Sequence, residues 1–311
     1  MPFPKIPFAD TPDEFLSFQE HDSYPPPPEM RSAFQKLLTD SSVPMSAIAK
    51  EAASPIIANM ANEQDPRWPD CTLLWRTLCR AVDSFTELND RFVEFVVELQ
   101  KLPDGDHVFA ILPQFNNHWT EFGYTMTYYV SDEPERDRKH QAQVNHHAFC
   151  AKLSTHHQVH PELDQIQRAG FTFRSTCEFA PWERTHFPEI EEWYDPDDDP
   201  ADFDWPARRD LELERVNIKM LNAKIPAAAQ WLQHVGRRLY DMQGNMTGEH
   251  DWQTAVLNPK WTGAKGYSKE RFVFWRERFE WMTKVTALEK ETQKLAQECA
   301  DKMKEIENGG G

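Results

Sequence analysis

The chain has 311 residues, 40% of them hydrophobic, enough to bury a substantial core in one large domain or two small ones. Its formal net charge of −17 argues against nucleic acid, where a basic stripe must neutralise phosphates, and against anionic membrane surfaces. Cysteines at 71, 79, 150, 177 and 299, with no Cys-x-x-Cys among them, read as reduced buried thiols of a cytoplasmic or nuclear protein that is not secreted.

The opening Met-Pro-Phe-Pro-Lys-Ile-Pro lacks the apolar core of a signal peptide, and no window approaches eighteen apolar residues. Asn245-Met246-Thr247 matches a glycosylation sequon, read without such a signal as chance. Residues 1–28 are proline-rich and carry Phe3, Phe8, Phe15, Phe18 and Tyr24; Pro25 to Pro28 favour polyproline geometry. They predict an extended arm. It could dock in a partner's aromatic groove, but a clasp on its own domain is the reading preferred here. Short helices follow over 30–38 and 44–60, the second open to interruption at Pro55.

Asp70 caps the clearest amphipathic run, in which Leu74, Leu78, Val82, Phe85, Leu88, Phe92, Phe95, Leu99 and Leu102 recur by threes and fours. Ser84-x-x-Glu87 resembles a capping box, predicting two helices with a break near 83–86. In 107–130 the alternation of Phe122, Tyr124, Met126, Tyr128 and Val130 fits a strand. No second strand run exists to pair with it, so loop and short helix are expected instead. Helices are expected over 137–157 and 162–181. Residues 188–206 hold nine acidic side chains and no Lys or Arg, predicting a solvated acidic loop. Helix resumes over 208–244, kinked or broken before Pro226. Its stripe of Ala228, Trp231, Leu232, Val235 and Leu239 suits packing on the C-terminal helix.

That last stretch organises the rest. In Trp261-Thr-Gly-Ala-Lys-Gly-Tyr-Ser-Lys-Glu-Arg, Gly263 and Gly266 permit a tight turn, Ser268 sits where an N-cap belongs, and Glu270 faces the positive end of the helix dipole. Beyond lie Phe272, Trp275, Phe279, Met282, Leu288, Leu295, Cys299, Met303 and Ile306, one apolar stripe. Unbroken, this helix would run ~55–60 Å, so it either outspans the body or carries a break.

The pattern Trp261-x-Gly-x-x-Gly-Tyr-Ser-x-Glu-Arg-Phe-x-Phe-Trp275 resembles the C-terminal signature of a fungal family catalogued as domain of unknown function 3632. Leu74-Trp75, Asn145 to Leu153 and Ala228 to Tyr240 fit more loosely, extending the similarity over most of 30–307. Phe272 stands where Trp is more usual. The resemblance implies a helical domain found in fungi and no particular activity.

His146-His147-x-x-Cys150 and His156-His157-x-x-His160 invite a metal site. Pro161 ends the helix there and no carboxylate or second Cys stands at fixed spacing, so solvated helix-end histidines are expected. Asp195-x-Asp197-x-Asp199 imitates a calcium loop, but Pro200 and Pro206 stand where Gly and Glu are required. No nucleophile elbow, phosphate loop, zinc-protease helix or dinucleotide fingerprint occurs, so no catalytic, cofactor-binding or metal set is named. What remains is Trp261, Tyr267, Arg271, Trp275 and Arg278. They could line a pocket in which Arg holds an anion and aromatics stack a ligand. Alternatively Trp261 plugs an inter-helix gap and the arginines bond orphan carbonyls or buried acids; the structural alternative is preferred.

The expected fold is all-α: an irregular array of eight to ten helices in one domain over 29–308, with the arm at 1–28, the acidic loop at 188–206, and Gly309-Gly310-Gly311 set aside as a terminal scar. The expected function is a non-catalytic intracellular module that binds a protein partner or its own copies. The alternative is an enzyme or carrier for a small hydrophobic metabolite.

Overall fold

A computed structural model describes residues 8–60, 69–103, 108–123, 133–158, 161–178, 185–186, 188, 218–246 and 260–310. Among them lie eleven α-helices and no strand, only an isolated antiparallel bridge between Gly244 and Tyr267. The all-α expectation holds, with one helix more than the upper end of the expected range. No described helix is long and apolar enough to cross a membrane. The chain clusters into two compact units, where a single domain was expected: Met1–Tyr128 with Gln141–Leu163, and Tyr129–His140 with Asp164–Gly311.

The first unit begins with a departure from expectation. Residues of the supposed extended arm form helix α1 (Pro12–Glu20). Thr11 is its N-cap, its hydroxyl accepting from Glu14 N at 3.2 Å; Pro12 pre-sets the first turn, and Asp13 and Glu14 favour the dipole's positive end. The segment does clasp its own unit. Phe15 is buried edge-on against Phe85, ring centroids 5.7 Å apart. The Asp22 carboxylate accepts from Arg80 at 2.7 Å and lies 3.3 Å from Arg76. Phe3 lies outside the described residues.

Helices α2 (Pro28–Thr39) and α3 (Met45–Met60) pack on one another; Ala33, Phe34 and Leu37 of the first and Ile48, Ala49 and Ala52 of the second are buried, and Lys36 is paired to Glu51 at 2.6 Å. Pro55 does not end α3. Next come α4 (Thr72–Ser84), whose Thr72 N donates to Asp70 Oδ1 at 2.9 Å, and α5 (Asn89–Gln100). The break between them falls where expected, but no capping box makes it. Neither α5 nor the short turn before it has a side-chain N-cap. The stop comes from α7 (Glu133–Leu153), which follows α6 (Phe115–Gly123). Asn145 Nδ2 donates to the carbonyls of Val82 and Asp83 at 3.1 and 3.3 Å, satisfying acceptors that α4 leaves open. Its Oδ1 accepts from Thr86 and Gln141, and its backbone carbonyl accepts from Asn89. The strand-like alternation at 124–130 lies outside the described residues.

The second unit is built on α8 (Ile166–Cys177), α9 (Leu221–Asp241), α10 (Lys269–Met282) and α11 (Lys290–Glu307). The stripe on α9 does face α11: Trp231, Leu232 and Leu239 are buried, and a Cβ on Gly236 would stand 2.8 Å from Ile306 Cδ1. The irregularity of α9 falls at Val235 (φ −136°), not before Pro226, which sits inside the helix. The acidic stretch beyond Pro188 and residues 208–217 lie outside the described residues.

The long C-terminal helix is broken at 283–289 and its halves pack on each other. The break has identifiable causes. Val285 is fully buried, and Thr286 turns its N–H to Thr185 O at 2.8 Å instead of to the helix. Gln293 from the new helix reaches back to Val285 O at 2.6 Å. Arg276 then ties the halves, meeting Glu307 at 2.8 Å. At the front of α10, Ser268 accepts from Arg271 N at 3.1 Å, as the sequence predicts.

Two variants test the entry to α10. Ser268→Ala removes the cap and is expected to destabilise by ~1 kcal/mol. Gly266→Ala is expected to cost more, because the residue has φ +84° and a Cβ there would stand 2.0 Å from Gly244 O. Urea denaturation followed by circular dichroism should rank them in that order. Removing residues 1–22 strips Arg76 and Arg80 of Asp22 and uncovers Phe85. Differential scanning calorimetry should then show melting lowered by several degrees, and unchanged melting would refute the clasp.

Candidate functional site

The residues singled out around the glycine turn converge within the second unit, on a partner that the sequence does not flag. Glu178 is the residue on which α8 ends; its own N–H donates back to Arg174 O at 2.8 Å. Its side chain is about 1% exposed. Arg271, the third residue of α10, grips it in a fork, Nε to Oε1 and a terminal nitrogen to Oε2, both at 2.8 Å. Trp275, one turn on, donates its indole N–H to Oε1 at 2.7 Å. Arg174 stands 3.7 Å from Oε2. The remaining Arg271 nitrogen donates to Gly266 O at 2.9 Å, so one guanidinium joins the end of α8, the start of α10 and the glycine turn.

The other members take structural places around this fork. Trp261 donates its indole N–H to Ala264 O at 2.9 Å, closing the turn, and Gly263 is required beneath it, since a Cβ there would lie 2.3 Å from the ring. Tyr267 N donates to Gly244 O at 2.7 Å, and its hydroxyl donates to Ile166 O at 3.5 Å. Arg278 Nε donates to Cys177 O at 3.2 Å, with its guanidinium 4.4 Å from the Trp281 ring centre. The Trp275 ring stacks on Phe173 at 4.9 Å. The structure therefore gathers Trp261, Tyr267, Arg271, Trp275 and Arg278 around one brace, in which Tyr267, Arg271 and Trp275 are buried and Trp261 and Arg278 partly exposed. The arginines bond a buried acid and a helix-end carbonyl.

Chemically, the brace holds a carboxylate and a guanidinium in a planar fork. Both carboxylate oxygens accept at least one charge-assisted or indole bond, and the guanidinium is matched in plane, the geometry in which such pairs are strongest. Neighbouring groups are poor nucleophiles. Burial pushes the Cys177 thiol well above its ordinary value and raises the Tyr267 phenol. Burial pushes Cys299, on α11, up to about 12.

The histidine cluster takes a different form from the one expected. His146 and His147 are buried in the part of α7 that belongs to the first unit, not solvated at a helix end. The helix runs to Leu153, and its inner face carries His146 against Asp83, Nε2 to Oδ1 at 2.5 Å, under the Trp119 ring at 4.8 Å. His156 and His157 are partly exposed, and His160 lies outside the described residues. Among the described residues no three metal-ligating side chains stand together.

Glu178 and Arg174 escape sequence inspection. The fork spans 93 positions, and nothing local distinguishes one acid among 51 Asp and Glu. The available signal is Glu178's setting, Thr-Cys-Glu-Phe-Ala, an acid between apolar neighbours at a helix end.

Breaking the fork from one side leaves a guanidinium buried without its acid. Glu178→Gln should destabilise by ~3–5 kcal/mol, whereas Glu178→Leu with Arg271→Met should recover much of that loss. Denaturant midpoints of the wild type, Glu178→Leu, Arg271→Met and the double variant form the cycle that checks the recovery, with Glu178→Gln measured beside them.

A family model described as Protein of unknown function (DUF3632) matches residues 75–279. The match spans α4 to α10 and includes every residue of the brace. No curated protein and no solved structure matches the chain. With two thirds of its length matched, the chain belongs to this family of proteins of unknown function.

Proposed function

We propose that the chain is a non-catalytic helical module that works in the cytoplasm or nucleus by binding a protein partner or further copies of itself. The observation carrying this is the commitment of the arginine–aromatic set to internal contacts. Arg271, Trp275 and Glu178 satisfy one another at 2.7–2.8 Å in the buried brace. Residues that could have held an anionic ligand thus serve to lock α8 to α10. The supply of nucleophiles points the same way, since all five cysteines are free thiols and all are buried. Free buried thiols also suit a reducing compartment.

A protein partner is favoured by surface character. Phe171 on α8 and Ile111 in the first unit are each half exposed, large apolar side chains on a strongly acidic molecule. Such residues serve as interface anchors when surrounded by polar rims. The charge of −17 disfavours nucleic acid as that partner.

Native mass spectrometry of the full chain purified from its own cells decides between assembly and pocket. The expected result is a protein complex of fixed stoichiometry, homomeric or with a second chain. A monomer carrying one small hydrophobic molecule at one-to-one ratio would overturn the proposal in favour of the carrier or enzyme alternative.

A further inference from the structure

Between α1 and α2 the chain reads Tyr24-Pro25-Pro26-Pro27-Pro28, and both ends of that stretch are pinned. Tyr24 N donates to Asp22 Oδ1 at 3.1 Å, and Tyr24 O accepts from Arg76 at 2.5 Å. At the other end, Pro27 O accepts from Arg31 N at 3.0 Å and so opens the hydrogen-bond ladder of α2. Pro27 has φ −53° and ψ 153°, near the polyproline II conformation. A polyproline helix repeats about every three residues, which sets Pro25 and Pro28 on one edge. Exposure follows that period. Pro25 and Pro28 are exposed, Pro27 is half-buried, and Pro26 is turned in and buried. Beside Pro25, the Tyr24 side chain is 67% exposed, more than Phe171 or Ile111.

We propose that Tyr24 to Pro28 is a docking ligand for a protein domain whose aromatic-lined groove reads polyproline helices. Such grooves take x-Pro-x-x-Pro as two dipeptides, with the residue between them pointing away. Tyr24-Pro25 and Pro27-Pro28 are those dipeptides, and the buried Pro26 is the residue between. The clasp and the docking edge therefore use different atoms of one segment: Phe15, Asp22 and Pro26 hold it down, while Tyr24, Pro25 and Pro28 are left for a partner. Four successive prolines carry no N–H, so a partner must read the ridge of rings and not a strand-like ladder. Because the stretch is already pinned, docking costs little further ordering. Charge narrows the partner. The nearby arginines are engaged, Arg31 with Glu20 and Arg76 and Arg80 with Asp22, and Glu29 is exposed directly after the motif. A groove rimmed by Lys or Arg fits that edge better than an acidic one. The inference rests on the partner-binding reading above and gives the partner its chemistry.

Purified EVH1, WW and SH3 domains with basic groove rims, each titrated with the full chain by calorimetry, test this. At least one is expected to bind in one-to-one ratio. Tyr24→Ala and Pro28→Ala should each weaken that binding about tenfold or more, as truncation of an anchoring ring does. Tyr24 faces water and alanine suits the first turn of a helix, so melting of both variants should match the wild type. A domain that binds both variants as tightly as the wild type reads another segment, and that result overturns the proposal. Absence of binding by all three domains overturns it too. A native complex that keeps its mass in Tyr24→Ala would preserve partner binding and sink this site alone.

Discussion

The second unit depends on one carboxylate being claimed by two helices. Glu178 ends α8, and its side chain would be intolerable in that interior were Arg271 and Trp275 not aimed at it from α10. The dependence runs both ways, since Arg271 is itself about 1% exposed. Neither charge can be buried first without the other, so the end of α8 and the start of α10 order together. The glycine turn is drawn into the same event, because the third guanidinium contact goes to Gly266 O. Gly266, in turn, holds the φ of +84° that brings its backbone against Gly244. An ion pair of this kind adds little net stability over an apolar substitute, but it penalises every arrangement that separates its halves. It therefore fixes which helix faces which.

A second regularity is how helices stop. The chain has only 11 glycines in 311 residues, and neither α4 nor α8 ends on one; their C-caps are Phe85 and Glu178. The open carbonyls are filled instead by side chains arriving from elsewhere. Asn145 of α7 covers Val82 and Asp83; Lys224 of α9 covers Ser175; Arg278 of α10 covers Cys177. A glycine cap works within one turn of chain, whereas these caps exist only once the tertiary structure has formed. Helix termination here is a product of packing within each unit, and helix boundaries inherit their cooperativity from it.

That origin explains what could be read from the sequence. Local signals were legible: the Ser268 cap, the turn at Gly266, and the stripe Phe272, Trp275, Phe279 and Met282, all buried as expected. The break between α4 and α5 could be located, but its cause could not, because Asn145 lies some sixty positions away and Ser84-x-x-Glu87 offered a plausible local substitute. A break in the long final helix could be anticipated from its length, but its place after Met282 could not, for the same reason. The stripe continues through Leu288 and Leu295 without a glycine or proline, and the interruption rests on Thr286 bonding to Thr185. Helix α1 was hidden by composition, since prolines on both sides of 12–20 suggest an extended chain while Thr11-Pro12-Asp13-Glu14 is a good helix start. Of the site, the half carried by α10 and its turn was legible, and the acid that gives it meaning was not.

The end of α8 shows, within four residues, two ways of burying a cation. Arg271 cannot lose its proton at any attainable pH, so its burial demanded an acid, a matched fork and a third acceptor, all of which it has. Lys224 carries a group that can discharge, and it is met by a single carbonyl and apolar neighbours. Exchanging the two residue types would fail at both places. Lysine at 271 would leave one carboxylate oxygen short of its planar partner, and arginine at 224 would keep a charge that no acid among the described residues balances. The distribution of the two residue types thus follows from the chemistry of the proton each can or cannot release. Arg271 is bound into the framework by its fixed charge and a matched acid, and Lys224 reaches the same end of α8 through one carbonyl.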